Sequence, residues 1–241
     1  MNFKCLLVSI VILICSCTLI AGCESNRSYL GKTKVMVKNG EYQKALERYV
    51  WFHNHILETD SSMKGVRLSF ALSHWKKLGD KYPPAIVALK EVRDKKTNQI
   101  ISSGESKSLF IDVDAINRTL SESSKTINLF ELISKKYPKL AGEVITYALD
   151  DLLAAKSYEL IKANVRDITE QYHRIESNYK RDIKEFPTRD EKLIAYIHED
   201  FSKEVVQLID YCIAVRNKHA AIQIQSEALA LINDTHIRNA L

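Results

Sequence analysis

Apolar side chains recur every three to four residues along almost the whole chain after residue 27. Two of these stripes consist of Leu68, Leu72 and Trp75, and of Ala85, Leu89 and Val92. This spacing places their members on one face of an α-helix, whereas no segment shows the two-residue alternation of a half-buried strand. The pattern predicts an all-α fold, with both tryptophans, Trp51 and Trp75, in the core.

Short polar or glycine-containing breaks separate the stripes. Two of them, Gly40-Glu41-Tyr42-Gln43-Lys44-Ala45 and Gly79-Asp80-Lys81-Tyr82-Pro83-Pro84-Ala85, are near copies, and their tyrosines and alanines are both 40 residues apart. Both segments resemble the middle of a tetratricopeptide repeat, where a Gly-x-Tyr-x-x-Ala turn joins two antiparallel helices. The spacing is longer than the family period of about 34 residues, and Phe52 stands where that family usually has alanine. The resemblance implies a right-handed solenoid of such helical hairpins over residues 28–165.

Residues 166–241 continue as helix without a recognisable repeat. The periodicity predicts long helices near 166–184 and 189–233, each with one apolar face. Such faces usually pack into a core, although sustained stripes also allow oligomerisation through these C-terminal helices. Cys212 lies within one of the stripes, and we interpret it as a small buried apolar side chain.

The first 22 residues have the order of a secretory signal. Lys4 precedes an apolar run that ends in Ile20-Ala21-Gly22-Cys23. This ending resembles a bacterial lipobox, which implies a signal peptide over 1–22, lipid attachment to Cys23 and a tether over 23–27. An uncleaved membrane span is the alternative. Glu24, rather than aspartate, follows the cysteine, which favours the outer membrane, on its periplasmic side, as the site of the anchor.

Charge and motifs exclude several classes of function. The net charge is +5 for 241 residues, which is too mild for a nucleic-acid-binding surface. The sequence contains no His-Glu-x-x-His, no glycine-rich phosphate loop and no Gly-x-Ser-x-Gly motif. We therefore expect no catalytic activity, no metal and no cofactor. The adjacent Asp150 and Asp151 point in different directions on a helix, and we interpret them as a solvated face.

The remaining functional hypothesis is a lipid-anchored scaffold that binds a protein or peptide of the cell envelope. In the resembled family, the first helix of each hairpin lines a concave binding surface. Transferring that pattern to this sequence places five cations on the surface: Lys34, Lys38, Lys76, Lys77 and Arg118. A basic groove of this kind would suit an acidic segment or a C-terminal carboxylate. Lysines scattered over the surface without a common function are the alternative.

A second hypothesis concerns a cluster of ring and cationic side chains. Trp51, His53, His55 and Arg67 are the candidates for the site of an envelope enzyme or a small-ligand-binding protein. The alternative is a structural role, in which the tryptophans pack the core and Arg67 pairs with Glu47 or Asp94 inside the repeat region.

Overall fold

The computed structural model describes residues 26–104, 106–185 and 190–241, and within these ranges it contains helices and no strand. The all-α prediction is therefore confirmed. The predicted signal peptide and the predicted lipid-attachment residue Cys23 lie outside the described residues, and no helix among the described residues is long and apolar enough to cross a membrane. The α-helices are α1 Asn26–Lys38, α2 Tyr42–Thr59, α3 Lys64–Leu68, α4 Phe70–Gly79, α5 Pro84–Ser103, α6 Lys107–Leu120, α7 Ser123–Lys136, α8 Pro138–Ala154, α9 Tyr158–Asn164, α10 Ile168–Glu185, α11 Glu191–Ala214, α12 Lys218–Leu231 and α13 Thr235–Arg238.

Local chemistry explains several of the helix ends. Gly40, with a φ of +80°, makes the turn between α1 and α2, because this backbone conformation is costly for a residue with a Cβ. Pro84 and Pro138 occupy the first turns of α5 and α8, where their missing N–H groups have no helical partner to lose. The Asp190 carboxylate accepts hydrogen bonds from the first backbone N–H groups of α11.

The two near-copies of the turn lie against each other in the fold. The rings of Tyr42 and Tyr82 stack with their centroids 6.0 Å apart, and the Tyr82 hydroxyl donates to Gln43 Oε1 at 2.8 Å. Ala45 and Ala85 are fully buried. The indole of Trp75 donates to the Ala85 carbonyl at 2.8 Å, which ties α4 to the start of α5.

Five helices form a continuous row, in which each contacts the next. The row runs α1, α4, α6, α8 and α11. Among the helices between them, α2 contacts α5, and α7 contacts α9. Two hydrophobic clusters form the core. The central helix α6 contributes Phe110 and Val113 to one cluster and Ala115 and Ile116 to the other. The larger cluster also crosses the predicted boundary at residue 165, since it extends from Ile100 to Ile237.

Two sequence-based expectations about this fold are wrong. The predicted helix over 189–233 is broken between α11 and α12, where Arg216 adopts a left-handed conformation with a φ of +61°. The Asn217 side chain then caps α12 by accepting from the Ala220 N–H at 3.2 Å. Trp51 is 42% exposed and packs on Tyr29 at the surface, whereas Trp75 is buried as expected. Cys212 is fully buried, as interpreted, and burial raises the pKa of its thiol to about 11.

Candidate functional site

Two of the predicted cations, Lys34 of α1 and Lys77 of α4, lie close enough to His74 to affect its ionisation. Lys34 and Lys38 are exposed and lie four residues apart, so they share a face of α1. Partial burial lowers the pKa of His74 on α4, and the nearby charges of Lys34 and Lys77 lower it further. The fold therefore brings lysines from two helices to a histidine that is neutral at pH 7. We call Lys34, Lys38, His74 and Lys77 the basic patch.

The other two predicted cations have different surroundings. Lys76 is half-buried, and as the helical neighbour of Lys77 it projects about 100° away from it. Arg118 on α6 donates from Nη2 to Asp114 Oδ2 at 2.6 Å. The exposed Arg118 guanidinium therefore already pairs with a carboxylate of its own helix, and that carboxylate is fully buried.

A cluster of acidic side chains occupies the later part of the row, and the sequence analysis missed it. Its members come from three helices that follow one another in the row: Asp114 of α6, Asp150 and Asp151 of α8, and Asp200 and Glu204 of α11. Desolvation by the surrounding protein, together with the charges of neighbouring members, raises the pKa values of Asp114, Asp150 and Glu204. We call them the carboxylate cluster. Burial raises the pKa of Asp114 to about 7, and the charges of Asp151 and Asp150 add to the shift. Burial and the charges of Asp150 and Asp200 raise the pKa of Glu204 to about 7 as well.

The carboxylate cluster changes the electrostatics of the predicted binding face. Positive side chains lie on α1 and α4, whereas carboxylates dominate on α6, α8 and α11, which come next in the row. Asp150 is exposed, in agreement with its interpretation as part of a solvated face, whereas Asp151 is half-buried and its Oδ2 has no hydrogen-bond partner among the described residues. No spacing within one helix reveals this cluster, because its members meet only through the packing of three helices.

Arg67 forms a buried ion pair with a residue that the sequence analysis did not consider. Its guanidinium donates to both oxygens of Asp112 on α6, with 3.0 Å between Nη1 and Oδ2. Nη1 also donates to the His53 carbonyl at 3.1 Å, and Lys96 Nζ donates to Asp112 Oδ2 at 2.7 Å. The predicted pairing of Arg67 with Glu47 or Asp94 is therefore wrong, because α6 lies beside α3 and supplies the carboxylate.

The four residues of the second hypothesis lie in two separate environments. His53 is buried beside Arg67, and burial, followed by the Arg67 charge, lowers its pKa to about 3. Its neutral ring packs edge-on against Trp75, with 6.2 Å between the ring centroids. Trp51 and His55 instead pack against each other outside the core, with ring centroids 5.9 Å apart and His55 Nδ1 3.1 Å from Glu58. In the part of the chain that the structure describes, no three His, Cys, Asp or Glu side chains are placed to hold a metal ion.

Several grooves open on the surface. One, of about 660 Å³, follows α11 and is lined by His198, Ser202, Asp234 and His236 among others. A second, of about 560 Å³, lies between α2 and α5 and includes His55 and Lys96. A third, of about 460 Å³, lies between α3, α6 and α8 and is lined by Lys64, Gly65, Leu68, Ile111, Ala115, Arg118, Thr119 and Tyr147.

No family model matches the chain, and neither a curated protein nor a solved structure is similar enough to it to count as a match.

Proposed function

We propose that this protein is a lipid-anchored scaffold of the bacterial cell envelope that binds an acidic segment of another envelope protein. The basic patch is the observation that carries the proposal. Lys34 and Lys77 are 43 positions apart in the chain, yet both act on His74. A concentration of positive charge from two helices favours the approach of an anionic partner and disfavours a cationic one.

The packing of the helices supports a scaffold rather than an enclosed site. Alternate helices along the first two thirds of the chain contact one another in the row, and α2, α5 and α7 each contact the helices that precede or follow them in the chain. Tetratricopeptide solenoids have this alternation, and their inner helices present side chains to extended segments of other proteins. We therefore keep the right-handed solenoid as part of the proposal, with α1, α4 and α6 as the helices that face the partner.

The proposed anchor lies close to the patch in the sequence. Helix α1 begins at Asn26, three residues after Cys23. A helix rises about 1.5 Å per residue, so Lys34 lies about 12 Å along α1 from its start. A lipid on Cys23 would hold the basic patch near the membrane surface, where its partners are other membrane or envelope proteins. The Ile20-Ala21-Gly22-Cys23 ending supports this part of the proposal, and Glu24 favours the outer membrane.

Charge reversal in the full lipidated chain tests the proposal. The probe is a fluorescein-labelled acidic peptide, Asp-Glu-Asp-Ser-Glu-Asp, whose binding is measured by fluorescence anisotropy at low and at physiological salt. Changing Lys34, Lys38, Lys76 and Lys77 to glutamate should weaken binding at least about tenfold, since several exposed ion pairs of up to about 1 kcal/mol each are replaced by repulsion. Salt should weaken binding to the unchanged protein.

A second variant with the same net charge shows whether a loss of binding comes from the basic patch or from the change in total charge. The exposed Lys139, Lys162, Lys184 and Lys192 lie on α8 to α11. Changing these four lysines to glutamate should leave most of the binding intact, while circular dichroism shows equal helicity for both variants. Undiminished binding by the first variant, or an equal loss in both variants, would reject the basic patch as the binding surface.

A further inference from the structure

The groove between α3, α6 and α8 combines an apolar lining with cations at its edge. Leu68, Ile111 and Ala115 contribute aliphatic surface, and Tyr147 of α8 contributes an aromatic ring. Its volume of about 460 Å³ exceeds what one large apolar side chain occupies. Lined in this way, the groove can remove an apolar side chain from water, which is the main source of affinity in most recognition sites.

Gly65 leaves one side of this groove open. A Cβ built on Gly65 would have no heavy atom within 4 Å, although the residue lies inside helix α3. Helix interiors disfavour glycine relative to alanine by about 1 kcal/mol, and no packing contact requires glycine here. The absence of a side chain at this position therefore enlarges the groove without a packing benefit.

The cations at this groove differ in their availability to a ligand. Arg118 is already bonded to Asp114. Lys64 is exposed and has no salt bridge to any carboxylate of the described residues, and the Lys107 ammonium lies 5.4 Å from the centroid of the Tyr147 ring. Carboxylates of a ligand would therefore pair with Lys64 and Lys107 rather than with Arg118.

An exposed aromatic side chain lies between the groove and the basic patch in the sequence. Phe70, at the start of α4, is 65% exposed and follows Leu68 by two residues. Phe70, His74 and Lys77 are spaced by four and three residues, so they share one face of α4. Phe70 thus connects, along the chain, the face of α4 that carries His74 and Lys77 with Leu68 at the end of α3, which lines the groove.

We infer that this groove holds an apolar side chain of the acidic segment, with the flanking carboxylates of that segment on Lys64 and Lys107. The inference rests on the proposed function, because it takes the acidic segment from it. It adds a specificity site: an acidic segment that carries a leucine or a similar side chain binds more tightly than one that carries only polar residues.

Filling the groove from Gly65 is the direct experiment. The probes are two labelled peptides that differ in one residue, Asp-Glu-Asp-Leu-Glu-Asp and Asp-Glu-Asp-Ser-Glu-Asp, and the protein is the full lipidated chain. We expect the leucine peptide to bind the unchanged protein at least about tenfold more tightly, the value that corresponds to burial of one leucine side chain. Gly65→Tyr should remove this difference and leave binding of the serine peptide unchanged.

Gly142→Tyr is the matched control. Gly142 is also an exposed helical glycine with no heavy atom within 4 Å of a built Cβ, but it does not line the groove. This variant should keep the preference for leucine, and circular dichroism should show that both variants keep their helicity.

The possible outcomes separate the inference from the proposal beneath it. Equal binding of the two peptides to the unchanged protein overturns the inference and leaves the basic patch intact. Failure of both peptides to bind overturns both. Sedimentation that shows a dimer sensitive to Gly65→Tyr, without an effect on the peptide preference, assigns the groove to a second copy of the chain and overturns the inference.

Discussion

Arg67 of α3 and Asp112 of α6, which are 45 residues apart in the sequence, form a two-pronged ion pair inside the protein. Each side chain is only 7% exposed. The same carboxylate also accepts from Lys96 of α5, so a single acidic residue joins three helices. Burial alone would raise the pKa of Asp112, but the hydrogen bonds from Arg67 and Lys96 hold it below its ordinary value.

Removing the carboxylate of this pair should be strongly destabilising. Asp112→Ala leaves Arg67 buried and without its charged partner, and such a change typically costs about 3–5 kcal/mol of unfolding free energy. Urea unfolding followed by circular dichroism measures the loss. Glu131→Ala is the control, because Glu131 pairs with Lys135 on the exposed side of α7 and should cost less than about 1 kcal/mol. A similar small loss in both variants would contradict the assigned role of Asp112.

The turn copies give a prediction about packing. Ala85 is fully buried under Trp75, whose indole bonds to the Ala85 carbonyl. Ala85→Phe forces extra volume into this contact and should cost on the order of 1–3 kcal/mol. Val87→Phe on the same helix is the control, since Val87 is 55% exposed. Equal unfolding midpoints for the two variants would show that the α4–α5 crossing tolerates a large side chain.

The carboxylate cluster predicts an unusual dependence of stability on pH. The pKa values of Asp114 and Glu204 are raised to about 7 in the folded protein, whereas an unfolded chain has values of about 4. Between these values the folded protein binds more protons than the unfolded chain. The contribution of these two carboxyl groups to stability should therefore be greatest toward the acidic end of this window and decline as the pH rises through about 7. Buried His53, whose pKa is lowered to about 3, contributes with the opposite sign.

A neutral substitution tests this pH dependence. Asp114→Asn keeps the size of the side chain and an acceptor for Arg118 but cannot ionise, so stability should fall less, or rise more, between about pH 4 and 7 than it does in the unchanged protein. Asp210→Asn, at an exposed position of α11, should leave the slope of stability against pH unchanged. Equal slopes for Asp114→Asn and the unchanged protein would contradict the prediction.

The lipid anchor has its own test. Cys23→Ala should abolish metabolic labelling with radioactive palmitate and leave an uncleaved precursor, because the thiol that receives the lipid is missing. Cys212→Ala should not affect labelling, since the Cys212 thiol is buried. Unchanged labelling of Cys23→Ala would remove the anchor from the proposed function.

The helices, and the positions of most of their ends, could be predicted from the sequence because both depend on near neighbours in the chain. Apolar periodicity depends on residues three and four positions apart, and Gly40, Pro84 and Pro138 act on their own backbone. The break at Arg216 was missed for a related reason. No glycine or proline marks it, and a residue of ordinary type adopts the left-handed conformation there.

The pairing of charges was decided by tertiary structure. Periodicity shows which residues share the face of one helix, but it does not show which helix lies opposite that face. For this reason the sequence suggested Glu47 or Asp94 for Arg67, and only the position of α6 beside α3 supplied Asp112. Asp150 and Asp151 looked like ordinary surface residues in the sequence, and nothing linked them to Asp114, Asp200 or Glu204. The packing of α6, α8 and α11 brings these acids close together, and burial with the neighbouring charges raises the pKa values of Asp114 and Glu204.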